Sequence, residues 1–370
     1  MVRNSNHELM RILSMFFIVL WHVILAGGLA TASNPNTRMF YTFLQFIIIV
    51  HVNSYVLVSG YYQSKSTFKQ SKLWKIINSA WFYRVVIMVI FSIYGFITIN
   101  KVQIFKDLLP IGVDNYWFLK VYILLYCISP FLNKFIQSLD KKTYQKMLGC
   151  GFIIVCIIPN LTGGEFFAST GYTLYNFVYL YFIGAYLRNY PLNKSYFFKV
   201  FSKKLFRIIM IAIFLGCALL NNVIFYFGEQ LSGINGLFDL IASYIKIASL
   251  EYSNPIVIVQ SIAYFSFFTT LDIKSKVINY ISTLMLGIYF IHENNYMIAN
   301  LYKWLGIVGG PANSLSFIPY VFLITIVIFV GCAIIELIRQ KIFSFVYKRK
   351  FATNIRSKYY SFLNQLHLTN

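Results

Sequence analysis

Two ionisable side chains, Arg11 and His22, stand in the first apolar stretch of the chain, with ten uncharged residues between them. Eleven helical steps make three turns plus roughly 20° and a rise of about 16 Å, so both side chains should share one helix face. Ionisable groups inside a bilayer usually face a bundle interior or a cavity, because burying them in lipid costs about 2.5–3.5 kcal/mol on insertion scales. The pair therefore predicts a site inside the membrane, where an imidazole could move protons and a guanidinium could hold an anion.

Two further histidines, His51 and His292, lie in other apolar stretches. Both could simply hydrogen-bond between helices, as polar residues often do in membrane bundles. His292 is followed directly by Glu293, a carboxylate that could orient a histidine. We therefore predict His22 and Glu293 as catalytic residues, and His292 as a substrate-binding residue.

Further candidates begin two other apolar stretches. Lys72 and Lys75 are about one helical turn apart and could bind a phosphate together. Lysines that only anchor the cytoplasmic end of a span at the membrane surface would show the same pattern. Tyr116, Trp117 and Tyr122 open the fourth stretch. They could stack on sugar rings and bind substrate, or they could form only an aromatic belt at the membrane interface.

The composition indicates a membrane protein. The chain has 370 residues, of which 58% are hydrophobic and only 12% charged, and its mean hydropathy is +0.66. A soluble domain of this size would carry about a quarter charged residues. The net charge of +21 could suggest a nucleic-acid partner, but an excess of Lys and Arg is also typical of the cytoplasmic loops of membrane proteins.

Ten apolar stretches are predicted to span the membrane, on the basis that a span needs about 20 residues. They cover 9–29, 40–62, 76–99, 116–137, 147–161, 172–188, 206–227, 253–271, 279–302 and 317–340. Lys and Arg concentrate in the connections on one side, which favours an all-α bundle with both termini in the cytoplasm. Because the positive charge is spread over many connections, no nucleic-acid footprint is expected.

The chain is expected to form one transmembrane domain over 1–340, followed by a basic cytoplasmic tail over 341–370. The start resembles a secretory signal, but the apolar run is long and contains a histidine, so we expect it to be retained as the first span. The segment 233–250 is apolar but interrupted by charges, which favours an interfacial or re-entrant helix.

Several kinds of site are not indicated. The five cysteines lie in apolar runs without metal-type spacing, so we interpret them as packing residues and predict no metal. The chain contains no P-loop, no GxSxG elbow, no HExxH and no carboxylate pair at close helical spacing. The predicted outer loop 30–39 has no acid, which disfavours a membrane glycosyltransferase that would use one there.

Four stretches resemble the membrane acyltransferase family 3 in order and spacing. They are RILSMFFIVLWH, NSYVLVSGYY, YWFLKVYILLYCISPFLN and LGIYFIHEN, and the resemblance extends over nearly the whole chain. It implies a membrane O-acetyltransferase that moves an acetyl group from cytoplasmic acetyl-CoA to a hydroxyl of an extracytoplasmic or lipid-linked polysaccharide, such as a capsule. The implied location is the bacterial cytoplasmic membrane, among membrane lipids and with no nucleic-acid partner.

The resemblance also implies roles for residues of this chain. Arg11, Lys72 and Lys75 would bind the phosphates of CoA, and His22 would act as a general base or carry the acyl group itself. The family often has two arginines where this chain has Lys72 and Lys75, and lysine cannot form the bidentate fork of arginine. Because an appended esterase-like domain of some relatives is not present, transfer is expected to finish within the membrane domain.

Two alternatives belong to other functional classes. A transporter or flippase of lipid-linked oligosaccharide would usually show repeat symmetry and broken helices around a central site, and the sequence indicates neither. A polysaccharide polymerase would be expected to place a long charged loop outside, whereas the longest predicted outer loop, about 228–252, has four ionisable residues. Consumption of acetyl-CoA would distinguish the acyltransferase from both.

Overall fold

The computed structural model describes residues 4–98, 100–109, 116–162, 171–196 and 198–348. Within these ranges every regular element is a helix. Seven helical segments are long and apolar enough to cross a membrane. The predicted fold class, an all-α multi-pass membrane protein, is confirmed.

The described part of the chain forms sixteen α-helices. They are α1 Ser5–Ala26, α2 Pro35–Ile48, α3 His51–Gln63, α4 Gln70–Ile93, α5 Lys101–Leu108, α6 Trp117–Ser138, α7 Lys141–Phe152, α8 Ile158–Leu161, α9 Leu174–Asn189, α10 Lys203–Leu231, α11 Gly236–Ser249, α12 Pro255–Thr269, α13 Lys276–Ile281, α14 Met285–His292, α15 Asn295–Trp304 and α16 Ile318–Lys348. A π-helical turn, Ile153–Ile157, joins α7 to α8. Residues 349–370 of the predicted tail lie outside the described residues, and α16 continues past the predicted boundary at 340.

Seven of the ten predicted spans correspond to the seven long segments. The sixth and eighth correspond to α9 and α12, which have 16 and 15 residues. The ninth is divided among α13, α14 and α15. One contiguous hydrophobic core joins these helices, with fully buried side chains such as Val19, Leu57 and Phe265 at its centre.

The second and ninth predicted spans are interrupted, at points where the sequence indicates no broken helix. α2 ends at Ile48 and α3 begins at His51. α14 ends at His292 and α15 begins at Asn295, where the Asn294 side chain accepts a hydrogen bond from the Tyr296 amide (3.0 Å). Side chains thus satisfy backbone groups that a break exposes, as a low-dielectric surrounding demands.

Contacts between connections agree with the predicted sidedness. The Ser275 amide donates to the Ser5 hydroxyl (3.0 Å), which joins the start of α1 to the α12–α13 connection. The Asn34 amide donates to the Asn313 side chain (3.0 Å), which joins the first connection to the one before α16. The charge pattern assigns the first pair to the cytoplasm and the second to the outside. We call the side that carries Ser5 and Ser275 the basic face.

The segment 233–250, for which an interfacial or re-entrant position is predicted, forms α11. It packs antiparallel to the end of α10, where Gly228 lies against Ile245. Its opposite side exposes apolar side chains, including Leu237 and Ile247. An apolar surface of this kind suits contact with lipid, and the depth of α11 stays a prediction.

Helices α3 and α9 touch backbone to backbone. A Cβ on Gly60 would overlap the carbonyl oxygen of Tyr181, and a Cβ on Gly184 would overlap that of Leu57. Small residues of this kind let membrane helices approach closely. The contact fixes α3, which carries several residues of the cavity described below.

A buried ion pair ties α4 to α5. Arg84 Nε lies 2.9 Å from Asp107 Oδ1, and the two residues are 2% and 0% exposed. The Tyr296 hydroxyl also donates to Asp107, so the carboxylate links α15 as well.

Replacing Asp107 with alanine is expected to lower the free energy of unfolding by about 3 kcal/mol or more, because it leaves a buried guanidinium without its counter-charge. Thermal unfolding in detergent measures the change. Asp272→Ala is the matched control, since this exposed acid pairs with Lys203 and Arg207 at the surface and its loss should matter little. Equal melting temperatures for the two variants would contradict the expectation.

Candidate active site

A cavity of about 2120 Å³ enters the helix bundle from the basic face. Exposed residues such as Lys65, Lys72 and Lys75 line its mouth, and His22 and Glu293 line its inner end. Typical small-molecule sites enclose about 300–1,000 Å³. The cavity is therefore large enough for an extended ligand that reaches from the surface to the middle of the bundle.

Helix α1 forms one wall of this cavity. Glu8, Arg11, Met15, Ile18 and His22 line it, each three or four residues after the one before. That spacing places them on a single helix face. The structure thus puts Arg11 and His22 on one face of α1, separated by a rise of about 16 Å, as their spacing predicts.

The inner end of the cavity holds a hydrogen-bonded group of two histidines and one carboxylate. His22 Nδ1 lies 3.0 Å from Glu293 Oε1 and 3.3 Å from His292 Nε2. His292 Nδ1 lies 2.7 Å from the carbonyl oxygen of Ile288. A carbonyl oxygen only accepts, so His292 Nδ1 carries the proton and its Nε2 is an acceptor. With both imidazoles neutral, His22 Nδ1 is then the donor and His22 Nε2 carries no proton.

The break between α14 and α15 explains this arrangement. His292 is the last residue of α14 and Glu293 follows it outside the helix, so both side chains can reach the same imidazole. Within this group His292 is fully buried, whereas the His22 side chain is 23% exposed to the cavity. Since Nδ1 is directed at Glu293, Nε2 is the ring nitrogen left for a ligand in the cavity.

His51 also lines the cavity, but both of its ring nitrogens are engaged. Nδ1 donates to the Ile48 carbonyl (2.6 Å), across the break between α2 and α3, and Nε2 accepts from the Tyr252 hydroxyl (3.0 Å). These bonds match the interhelical role that the sequence analysis kept open for His51. Tyr252 is a cavity residue that sequence reasoning missed.

Arg11 lies nearer the mouth and is ion-paired. Its Nη1 is 3.0 Å from Glu8 Oε2, and its backbone carbonyl accepts from the Tyr55 hydroxyl (2.6 Å). Sequence reasoning missed Glu8, although an acid one turn before Arg11 in the same apolar helix was a visible signal. The ammonium group of Lys72, by contrast, lies over an aromatic ring rather than beside a carboxylate, at 5.2 Å from the centre of the Tyr126 ring.

The three predicted aromatic residues take different positions. Trp117 and Tyr122 line the cavity, and the Tyr122 hydroxyl accepts from Gln63 Nε2 (2.9 Å). Tyr116 lies outside the cavity, where its buried hydroxyl donates to the Phe290 carbonyl (2.7 Å). Its φ of +55° in the left-handed region places it before the first turn of α6. The position of Tyr116 suits a link between α6 and α14 rather than contact with a ligand.

Comparison with known families identifies the class of protein. Residues 4–337 match the acyltransferase domain that defines acyltransferase family 3. The chain belongs to this family. Neither the curated proteins nor the solved structures include a significant match. As an acyltransferase family 3 protein the chain is a membrane acyltransferase, and the matched range contains the whole group formed by His22, His292 and Glu293.

The acyltransferase cavity contains a second carboxylate that sequence reasoning missed. Glu336 in α16 accepts from Arg339 through both oxygens (2.7 Å each) and from the Tyr83 hydroxyl (2.5 Å). Gly287 makes room for it, since a Cβ there would overlap the carboxyl group. The sequence feature that could have identified Glu336 is a single acidic residue within an apolar stretch.

The group formed by His22, His292 and Glu293 also has the composition of a metal site. Donor atoms of His22, His292 and Glu293 all lie within 4.8 Å of one another, a set that a divalent transition-metal ion could share. Hydrogen bonds already satisfy these atoms, and the absence of a metal requirement stays a prediction.

Proposed function

We propose that the protein is an O-acetyltransferase that takes acetyl-CoA from the basic face and acetylates a hydroxyl group of an extracytoplasmic or lipid-linked polysaccharide. Family membership supports acyl transfer. The observation that carries the finer proposal is a continuous cavity that joins exposed cations at its mouth to His22 at its inner end.

The shape of the cavity suits an acyl-CoA donor. CoA has phosphates at one end and a thioester at the other, joined by the long pantetheine arm. Arg11, Lys72 and Lys75 would attract the phosphates at the mouth. The arm would then extend along the α1 stripe, over about 16 Å between Arg11 and His22.

The orientation of His22 suits general-base catalysis. Nε2 would take the proton from the attacking hydroxyl while its oxygen bonds to the thioester carbon. As the C–S bond breaks, the same proton would pass to the sulfur, and CoA would leave as the thiol. Glu293, which accepts the Nδ1 proton, would stabilise the positive imidazolium between these two transfers.

The acceptor is proposed to be a polysaccharide because the cavity is lined by aromatic rings that can stack on sugars. Trp117 and Tyr122 are the candidates. The proposed setting is the bacterial cytoplasmic membrane, with lipids around the helices and the glycan reaching His22 from the side opposite the basic face.

An acetylated His22 is the alternative form of the same function. A neutral Nε2 held by a carboxylate at Nδ1 is also a nucleophile. Incubation with radiolabelled acetyl-CoA in the absence of glycan distinguishes the two routes. Label that stays on His22 in peptide mass spectra would favour the acyl-histidine route, and CoA release only in the presence of acceptor would favour the general base.

The function itself is tested with purified protein in liposomes, acetyl-CoA and surface glycan from the host. We expect release of CoA thiol that depends on the glycan, with matching O-acetyl signals in the NMR spectrum of the product. Movement of a lipid-linked oligosaccharide without release of CoA would instead favour a transporter.

The two lysines at the mouth give a prediction about donor binding. Replacing both Lys72 and Lys75 with glutamine is expected to raise KM for acetyl-CoA about tenfold with little change in kcat, because the lost contacts act equally on bound donor and transition state. Initial rates at varied acetyl-CoA measure this.

Arginine at both positions should keep or lower KM, since the guanidinium adds a bidentate contact. Lys142→Gln is the matched control, because Lys142 is exposed at the start of α7 and lies outside the cavity. A KM unchanged in the glutamine double variant would show that the lysines are only membrane anchors.

A further inference from the structure

The cavity has more cations than the proposed donor site uses. Six line it, namely Arg11, Lys65, Lys72, Lys75, Arg188 and Arg339. Glu8 neutralises Arg11 at 3.0 Å, and Glu336 neutralises Arg339 at 2.7 Å. The other four have no carboxylate within ion-pair distance in the part of the chain that the structure describes. Of these four, Lys65 and Arg188 have no role assigned so far.

Arg188 is held in a way that leaves its hydrogen-bond donors available. Its guanidinium carbon lies 4.8 Å from the centre of the Tyr61 ring and 5.9 Å from that of Tyr62. Stacking on aromatic faces uses the flat side of a guanidinium and leaves the N–H groups at its edge free. That edge matches a phosphate, which it can bind through two parallel hydrogen bonds.

The backbone under Arg188 is also fixed. Arg188 lies in the last turn of α9, one turn after Gly184, where α9 touches α3. Tyr61 and Tyr62 belong to α3, and Lys65 follows shortly after that helix ends at Gln63. Arg188 and Lys65 therefore belong to the α3–α9 side of the cavity, whereas Lys72 and Lys75 belong to α4.

We propose that Arg188, together with Lys65, forms a second anion site that binds the 3′-phosphate of CoA, while Lys72 and Lys75 bind its pyrophosphate. The proposal rests on the proposed function, since it assumes a CoA donor. CoA has two separate anionic groups, and its 3′-phosphate is a monoester with a charge of about −1.5 to −2 at neutral pH. The cavity has two separate pairs of uncompensated cations to meet them. Arg188 would supply the planar fork that the two lysines of α4 cannot form.

The test compares binding of CoA and of dephospho-CoA, which lacks only the 3′-phosphate, to purified protein in nanodiscs by calorimetry. The unmodified protein is expected to bind CoA about tenfold or more tightly than dephospho-CoA. Arg188→Gln should weaken CoA binding to the level of dephospho-CoA and leave dephospho-CoA binding unchanged. Arg188→Lys should give an intermediate preference, since it keeps the charge and loses the fork.

The controls separate this proposal from its alternatives. Lys72→Gln with Lys75→Gln should weaken both ligands equally, and Lys142→Gln should change neither. Unchanged dephospho-CoA binding also shows that the Arg188 variant is folded. Equal weakening of both ligands by Arg188→Gln, or no weakening, would overturn the 3′-phosphate site while leaving the proposed function standing. Failure of the unmodified protein to bind either ligand would overturn the proposed function and this site with it.

Discussion

Replacing His22 with alanine is expected to lower the rate of acetyl transfer by about 10³-fold, within the range of about 10²–10⁴ that a general base contributes. Because Nδ1 of His22 is directed at Glu293, Nε2 is the ring nitrogen left to accept a proton from a ligand in the cavity. His292 is buried behind it, and His51 has both nitrogens engaged, so neither can take over the proton. The measurement is the initial rate of CoA release in proteoliposomes with glycan present.

The His22 variant needs evidence that the rest of the protein is intact. Its CoA binding and its level in the membrane should match those of the unmodified protein, because the phosphates bind at the mouth. His51→Gln is the matched control, since it removes another cavity histidine and should change the rate by less than about tenfold. A normal rate from the His22 variant would refute the assignment.

Replacing Glu293 with glutamine should lower kcat about 10²-fold and leave KM for acetyl-CoA nearly unchanged. The Glu293 carboxylate accepts the Nδ1 proton of His22 at 3.0 Å and opposes the positive charge that forms on the ring. A glutamine amide can instead donate to Nδ1, which would move the proton to Nε2 and block the base.

Separate measurement of kcat and KM distinguishes this role from a role in donor binding, because an interaction needed only in the transition state lowers kcat alone. Glu229→Gln is the control, since Glu229 pairs with Arg38 at 3.7 Å, away from the cavity. A rise in KM with unchanged kcat for the Glu293 variant would place its carboxylate in donor binding.

Local periodicity predicted the part of the site that lies on one helix. The common face of Arg11 and His22 follows from helix geometry alone, which any later packing preserves. The all-α membrane fold followed equally from the length of the apolar stretches and the side on which the charges lie.

The breaks in the helices could not be predicted in the same way. At Ile48 the apolar run continues through Val50, with no proline or glycine to mark an end. The break after His292 falls in the polar run His-Glu-Asn-Asn, which the prediction of a single span over 279–302 passed through. Side-chain bonds such as that from His51 to the Ile48 carbonyl satisfy the exposed backbone groups, and those bonds depend on the folded bundle. Glu293 can approach His22 because of such a break. The distance between these two side chains could therefore not be derived from the spacing of the residues along the sequence.

The aromatic candidates show a second limit. Tyr116 and Trp117 are neighbours, yet only Trp117 lines the cavity, because α6 begins at Trp117 and Tyr116 precedes it with a left-handed backbone. A difference of one residue in where a helix starts decides which side chain meets the ligand. The pairing of Arg84 with Asp107 likewise depends on the packing of α5 against α4.

The glycine contact between α3 and α9 has a consequence for how material passes through the protein. No side chains lie between the two backbones at Gly60 and Gly184, so nothing there can repack to let one helix slide along the other. Helices α3 and α9 should therefore move together as one rigid body during a catalytic cycle. Any opening of the cavity should therefore come from motion of other helices, such as α4 and α14, which pack against each other.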